Sequence, residues 1–130
     1  MKYENDILEA KKARLNSHSP YSNFQVGALL KCKDGSSFTG CNVENDGLQS
    51  ICAERCAFVK AISEGKKNFE YIIVLGGPKG SEPTEKCLPC GYCRQFMSEF
   101  VDENFKIIVI DNNEVIEYKI ADLLPNSFRF

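Results

Sequence analysis

Two short stretches of this chain have to meet in space. One is Cys52-Ala53-Glu54-Arg55; the other, well downstream, is Pro89-Cys90-Gly91-Tyr92-Cys93. Together they offer three thiols and a carboxylate. Cys90 and Cys93 stand three residues apart, so both sulfurs lie on one side of a helical turn. Cys52 arrives from elsewhere in the chain and closes a third corner. Three protein ligands on a tetrahedral metal leave one position open, the arrangement of a catalytic zinc rather than a structural one. Glu54, two residues beyond Cys52, is close enough to reach a water in that position. Whatever fold the chain adopts must bring these two segments to one point.

Composition narrows the uses of those thiols. The chain has 7 cysteines and a single histidine, His18. The cysteines stand at positions 32, 41, 52, 56, 87, 90 and 93. An odd number, behind an N-terminus without the apolar region of an export signal, argues for metal or catalytic use over a disulfide framework. One histidine excludes a multi-histidine metal site within the chain. It also leaves a serine or cysteine hydrolase with only His18 as its base, and His18 reads as a surface or helix-end residue. The formal net charge is -2, with none of the basic excess that binds a nucleic acid polymer. No apolar run is long enough to span a membrane. The expectation is one cytoplasmic domain over residues 1–130, long enough to bury a sizeable core.

Hydrophobic periodicity outlines the elements. Residues 3–16 form an amphipathic helix with Ile7, Leu8, Ala10 and Leu15 on its apolar side, ended by Pro20. From Phe24 the period becomes two: Phe24, Val26, Ala28, Leu30 and Cys32 share a strand face. Asp34-Gly35 is a hairpin turn, and the return strand runs from about Ser36 to Cys41. Residues 52–64 read as a largely buried helix, 69–75 as a strand covered on both faces, and 76–87 as a loop. The stripe Cys93, Phe96, Met97, Phe100 and Val101 predicts a helix over residues 90–102. Strands near 106–110 and 115–119 and a helical turn at 121–124 complete the chain. The order is α-β-β-α-β-α-β-β, helices over a mixed sheet.

Both cysteine stretches fall at predicted helix N-termini, where the helix dipole and unpaired N–H groups favour thiolates. Three thiolates on a divalent zinc leave a net negative charge, which makes the metal a poorer acid towards bound water. Arg55 can compensate by donating to the sulfurs. Two competing readings use the same cysteines. Cys87, Cys90 and Cys93 match the start of an iron–sulfur run, but Met97 stands where its fourth cysteine is needed. A structural zinc with four cysteines could recruit Cys87 or Cys56. Neither gives Glu54 a task. In the loop after Cys41, Asn42 and Glu44 project to one side of an extended chain; they suit a diol such as a ribose, or simply a solvated loop.

These motifs, taken with Pro20-Tyr21-Ser22-Asn23-Phe24-Gln25-Val26-Gly27-Ala28, Gly40-Cys41-Asn42-Val43-Glu44-Asn45 and the C-terminal Leu123-Leu124-Pro125-Asn126-Ser127-Phe128, resemble the small, all-cysteine class of cytidine deaminases over nearly the whole chain. The resemblance implies a three-layer α/β/α fold with a five-stranded mixed sheet. It implies Cys52, Cys90 and Cys93 as ligands of Zn2+, Glu54 as proton shuttle, and Arg55 as the arginine that hydrogen-bonds the sulfurs. It implies Asn42 and Glu44 on the ribose hydroxyls, Phe24 against the nucleoside and the Ala53 backbone on the base. It implies a homotetramer in which Phe128 reaches a neighbour's site. Cys56 and Cys87 match no ligand.

The activity implied is hydrolytic deamination of cytidine and 2′-deoxycytidine to the uracil nucleosides with release of ammonia, a step of pyrimidine salvage. A deaminase of a modified cytosine nucleoside and a non-enzymatic zinc-binding module are the rivals. Asp46-Gly47-Leu48-Gln49-Ser50 departs from the resemblance: the segment before Cys52 is shorter and lacks an aromatic residue.

Overall fold

The structure, a computed structural model, describes residues 2–129. Met1 and Phe130, the ends of the expected 1–130 domain, lie outside the described residues. The elements follow the order α1 (Glu4–Arg14), β1 (Phe24–Cys32), β2 (Ser37–Cys41), α2 (Ala53–Ser63), β3 (Phe69–Pro78), α3 (Gly91–Ser98), β4 (Lys106–Asp111), β5 (Glu114–Lys119) and α4 (Ile120–Leu123). The five strands form one sheet in the order β2-β1-β3-β4-β5. Only β3 and β4 pair in parallel; the other neighbours are antiparallel, so the sheet is mixed.

The alternation of strand side chains builds two cores, one on each face. Ala28, Leu30, Ile72, Val74, Ile107 and Val109 meet Phe58 of α2 and Met97 of α3. Leu29, Tyr71, Ile73, Leu75, Ile108 and Ile110 meet Ile7 and Ala10 of α1. Central strands buried on both faces read as continuous apolar runs, which is why β3 and β4 are legible in the sequence. The result is the expected α/β/α layering, with α1 on one face and α2 and α3 on the other.

Two glycines set how closely the helices approach. A Cβ on Gly27 of β1 would stand 2.8 Å from the Arg14 Cβ of α1. One on Gly40 of β2 would stand 2.7 Å from the Ala57 nitrogen of α2 and also collide with the Ala53 carbonyl oxygen. Gly40 thus lets the first turn of α2 lie directly on the sheet. The Asp34-Gly35 turn forms as read, with Gly35 at φ 92° and the Asp34 carboxylate accepting from the Ser36 N–H at 2.9 Å.

Three sequence expectations need correction. Leu8 and Leu15 do not join the buried side of α1; they are 50% and 69% exposed, and the buried positions are Ile7, Ala10 and Arg14. Arg14 takes the place a leucine would fill, with its charge held by carbonyl oxygens: Nε donates to Gln25 O and Nη2 to Gly77 O and Pro78 O, each at 2.9 Å. Strand β3 does not stop at Leu75, because Gly76, Gly77 and Pro78 continue the ladder opposite Val26, Gln25 and Phe24. Helix α3 ends at Ser98, short of Asp102. Its last turn tightens, with Phe100 N–H donating to Met97 O, and Val101 is buried from beyond the helix.

Candidate active site

The N-termini of α2 and α3 converge. Cys52 is the N-cap residue of α2 and Cys90 the N-cap residue of α3, both in extended backbone conformation. Cys93 lies in the first turn of α3 and is fully buried. The sulfurs of Cys52, Cys90 and Cys93 all lie within 4.8 Å of one another. Sulfurs at corners of a zinc tetrahedron stand about 3.8 Å apart, given a Zn–S bond of about 2.3 Å. The cluster therefore fits such an ion after a small contraction, and its all-thiolate donor set suits zinc. Cys87 and Cys56, the candidate fourth ligands, are not part of this cluster.

The electrostatics of the cluster favour negative sulfur. Hydrogen bonding from Cys93 draws the Cys52 thiol down to about 5, with further help from Arg55 against the penalty of burial. Cys93, as the donor of that pair, is pushed upward. Arg55 Nη2 donates to Ser50 O at 3.0 Å and lies 3.9 Å from Cys52 Sγ. Burial works against the guanidinium charge, but hydrogen bonds to Cys52 and Cys93 outweigh it and raise its pKa.

Glu54, one turn-position after Ala53 on α2, is 5% exposed. Burial pushes its carboxyl up to about 7, and the neighbouring Cys52 charge adds to the rise. A carboxyl poised near neutrality can both take and give a proton. A cation on the three sulfurs would draw it down again, since the ion's charge dominates its surroundings.

A cavity of about 270 Å³ opens in front of the cluster. Cys52, Ala53, Glu54, Cys87 and Cys90 form its floor and side, Val26, Ile51 and Leu88 its apolar wall, and Asn42, Glu44 and Ser50 its polar rim. Among the other sequence candidates, Phe24 begins β1 and is not one of the residues that line the cavity. Its ring and the Cys87 sulfur both lie over Gly76, where a Cβ would meet them at 3.0 and 3.2 Å. Phe128 does not line the cavity. It is 62% exposed on the C-terminal tail, where its carbonyl oxygen accepts from Gln95 Nε2 at 3.1 Å.

The polar rim is more constructed than a solvated loop. Asn42 Oδ1 accepts from the Val26 N–H at 2.9 Å and from Ser17 Oγ, while Nδ2 donates to Phe24 O at 2.9 Å. Glu44 Oε1 accepts from the N–H groups of Tyr21 and Ser22, at 3.0 and 3.2 Å, and Oε2 accepts from Ser22 Oγ at 2.5 Å. The Ser22 hydroxyl is the main cause holding the Glu44 carboxyl below its usual range. Sequence reasoning did not find Ser17 or Ser22 as supports. The only signal was their place in the segment that leads into Phe24.

Fold and site define an α/β protein with a three-thiol cluster suited to a metal ion beside a cavity. The family model for the cytidine and deoxycytidylate deaminase zinc-binding region matches residues 2–109. A curated cytidine deaminase from Sporosarcina psychrophila is 39% identical over 130 residues, covering 98% of this chain and 92% of that relative. One from Halalkalibacterium halodurans is 42% identical over 125 residues, covering 94% and 90%. The crystal structure of cytidine deaminase from Burkholderia pseudomallei superposes with a TM-score of 0.87 at 38% identity, covering 98% of this chain and 100% of that one. The chain belongs to the cytidine and deoxycytidylate deaminase family.

Proposed function

We propose that this protein catalyses the zinc-dependent hydrolysis of cytidine and 2′-deoxycytidine to uridine and 2′-deoxyuridine, releasing ammonia. The observation that carries this reading is the convergence of three thiols and a buried glutamate on one cavity whose rim presents Asn42 and Glu44. The relatives from Sporosarcina psychrophila and Halalkalibacterium halodurans, of similar length, bear the name cytidine deaminase.

Cys52, Cys90 and Cys93 would hold the zinc, and Arg55 would offset the charge of three thiolates. Zinc bound there supplies a Lewis-acidic position at which a water becomes a nucleophile near neutral pH. Every proton movement then falls to Glu54. Its carboxylate takes a proton from the attacking water and delivers it to the ring nitrogen beside the amine-bearing carbon. It takes the second proton and passes it to the amine, which leaves as ammonia. One water is consumed, one ammonia released, and Glu54 returns to its starting state.

Positioning falls to the cavity wall. Asn42 and Glu44 bind the sugar hydroxyls, held in place by the hydrogen bonds from Ser17, Tyr21, Ser22 and the ends of β1. The Ala53 backbone contacts the base and Phe24 closes over it, excluding water from the reacting atoms. The retention of both sugar-binding side chains favours an ordinary nucleoside over a modified one.

Residues 1–130 act as one domain, working as a homotetramer in which Phe128 of each copy enters a neighbour's site. The exposed Leu48 and Phe128 support subunit contacts. A cytoplasmic role in pyrimidine salvage follows from this substrate class. Among the described residues no helix is long and apolar enough to cross a membrane.

Zinc analysis paired with absorbance-monitored turnover on a nucleoside panel tests the reading. One zinc per chain with loss of the cytidine band is expected. Zinc binding without turnover of any cytosine nucleoside would leave a binding module instead.

A further inference from the structure

Among the described residues Arg55 is the cation set against the thiols, and its hydrogen bonds alone do not fix its plane. The guanidinium's contacts to Ser50 O, at 3.0 Å, and towards Cys52 Sγ, at 3.9 Å, use the same nitrogen, Nη2. Its Nε is buried and has no hydrogen-bond partner among the described residues. With Nε unpaired, the pull of the sulfurs leaves the tilt of the guanidinium plane to be set by its other contacts. One of these is a face contact: the guanidinium carbon stands 4.2 Å from the centroid of the Tyr92 ring.

That contact joins two elements. Arg55 belongs to the first turn of α2 and Tyr92 to the first turn of α3, between Cys90 and Cys93. The stack therefore bridges the two helix ends that carry the three thiols. A planar guanidinium is suited to it, since it can lie on an aromatic face and still donate in its own plane. The same Nη2 ties Ser50, at the cavity rim, to this junction. No other described arginine or lysine faces the Tyr92 ring.

We propose that Tyr92 is a positioning residue: its ring, stacked on Arg55 across the junction of α2 and α3, fixes the guanidinium against Cys52 and couples the thiol cluster to the Ser50 end of the cavity wall. This rests on the reading that the three thiols hold a metal. The Tyr92 hydroxyl has no part in it, and the ring is exposed enough that its removal leaves both cores intact.

The test is cobalt(II) substitution of the full chain, followed by competition with a chelator. Thiolate ligation gives a sulfur-to-cobalt charge-transfer band whose position reports the electron density on sulfur. The variants are Y92F, Y92A, R55Q and the double variant R55Q/Y92A. Y92F is expected to match the parent chain in band position and in resistance to the chelator. Y92A is expected to shift the band and weaken metal retention roughly threefold to tenfold. R55Q should weaken it at least as much, and adding Y92A to R55Q should change nothing further, since Tyr92 acts through Arg55.

Y92A with the parent band and the parent retention overturns the proposal. So does a Y92A effect that adds in full to that of R55Q. A parent chain that gives no sulfur–cobalt band at all overturns the metal reading and the proposal with it, and that outcome is separate from the other two because it is read before any variant is compared.

Discussion

The first turn of α2 rests on Gly40: a side chain there would collide with the Ala53 carbonyl oxygen and come within 2.7 Å of the Ala57 nitrogen. Ala53 lies between Cys52 and Glu54, so the missing side chain of a β2 residue sets the height of the thiol and the carboxylate together. Gly40→Ala has to lift the helix or bend the strand. Overpacking of this kind costs about 1–3 kcal/mol. The variant is expected to lose that much stability in urea and to lose metal and turnover in parallel. Full metal retention with full activity would mean that α2 can shift without disturbing the site.

Ser22 places Glu44, and the two can be separated by kinetics. Ser22→Ala removes the Oγ donor but leaves the two backbone N–H groups that Glu44 Oε1 accepts. A rise of about fivefold in KM for cytidine with kcat unchanged is expected, because the contact orients a binding group and not the reacting atoms. Glu44→Ala is expected to raise KM further. The pH dependence has a definite sign. The Glu44 carboxyl is held below its ordinary value of 4.5, first by the Ser22 hydroxyl. The charge therefore persists as the pH falls through 4.5, and the contribution of Glu44 to KM should stay flat there. In Ser22→Ala that depression is relieved, so KM is expected to rise at a higher pH on acidification. Identical acid limbs in both proteins would sink the assignment.

Glu54→Gln keeps the shape of a buried side chain and removes its ability to carry a proton. General acid–base catalysis by one positioned group contributes on the order of 100-fold to 10,000-fold. The variant is expected to lose at least the lower figure in kcat while holding the same zinc per chain as the parent. Full turnover in a zinc-loaded Glu54→Gln protein would remove Glu54 from the mechanism. Loss of zinc along with activity would instead make its role structural.

What the sequence reveals of this protein depends on the range of the interaction. Strand β1 is legible because Val26, Ala28, Leu30 and Cys32 alternate with residues that face α1, and alternation is a local property. Helix α2 is legible over residues 52–64 because Ala53, Cys56, Ala57 and Ala61 mark one helical face, also a local property. The continuation of β3 through Gly76-Gly77-Pro78 is not, since nothing in those residues favours a strand until β1 lies beside them. The buried arginine of α1 is hidden for a related reason: its partners lie far away in β1 and β3. At the site, the spacing of Cys90 and Cys93 and the neighbourhood of Cys52 and Glu54 point to a common focus, because helix starts concentrate nearby side chains. The hydrogen bonds that build the rim around Asn42 and Glu44 come from Ser17 to Val26, and only folding brings those segments together. The Tyr92 stack on Arg55 likewise joins two helices that no local pattern relates.

Arg14 is 4% exposed and supplies three hydrogen bonds to carbonyl oxygens of Gln25, Gly77 and Pro78. It closes the end of the β1–β3 ladder where the apolar pattern runs out. Burial lowers its pKa from the ordinary 12.5, yet it stays charged at any pH at which the protein is folded. Arg14→Met keeps the aliphatic stem against Gly27 and deletes the donors. The expected loss is about 2–4 kcal/mol, read as a lower urea midpoint with an unchanged slope. Arg14→Lys is expected to fall between the two, because one ammonium cannot reproduce a planar fork over three oxygens. The consequence extends to function through chain connectivity. Gln25 sits between Phe24 and Val26, the two residues whose backbone groups hold the Asn42 amide. Loosening that corner should raise KM for cytidine more than it lowers kcat. A destabilised Arg14→Met with an unaltered KM would show that the ladder end and the sugar rim are held independently.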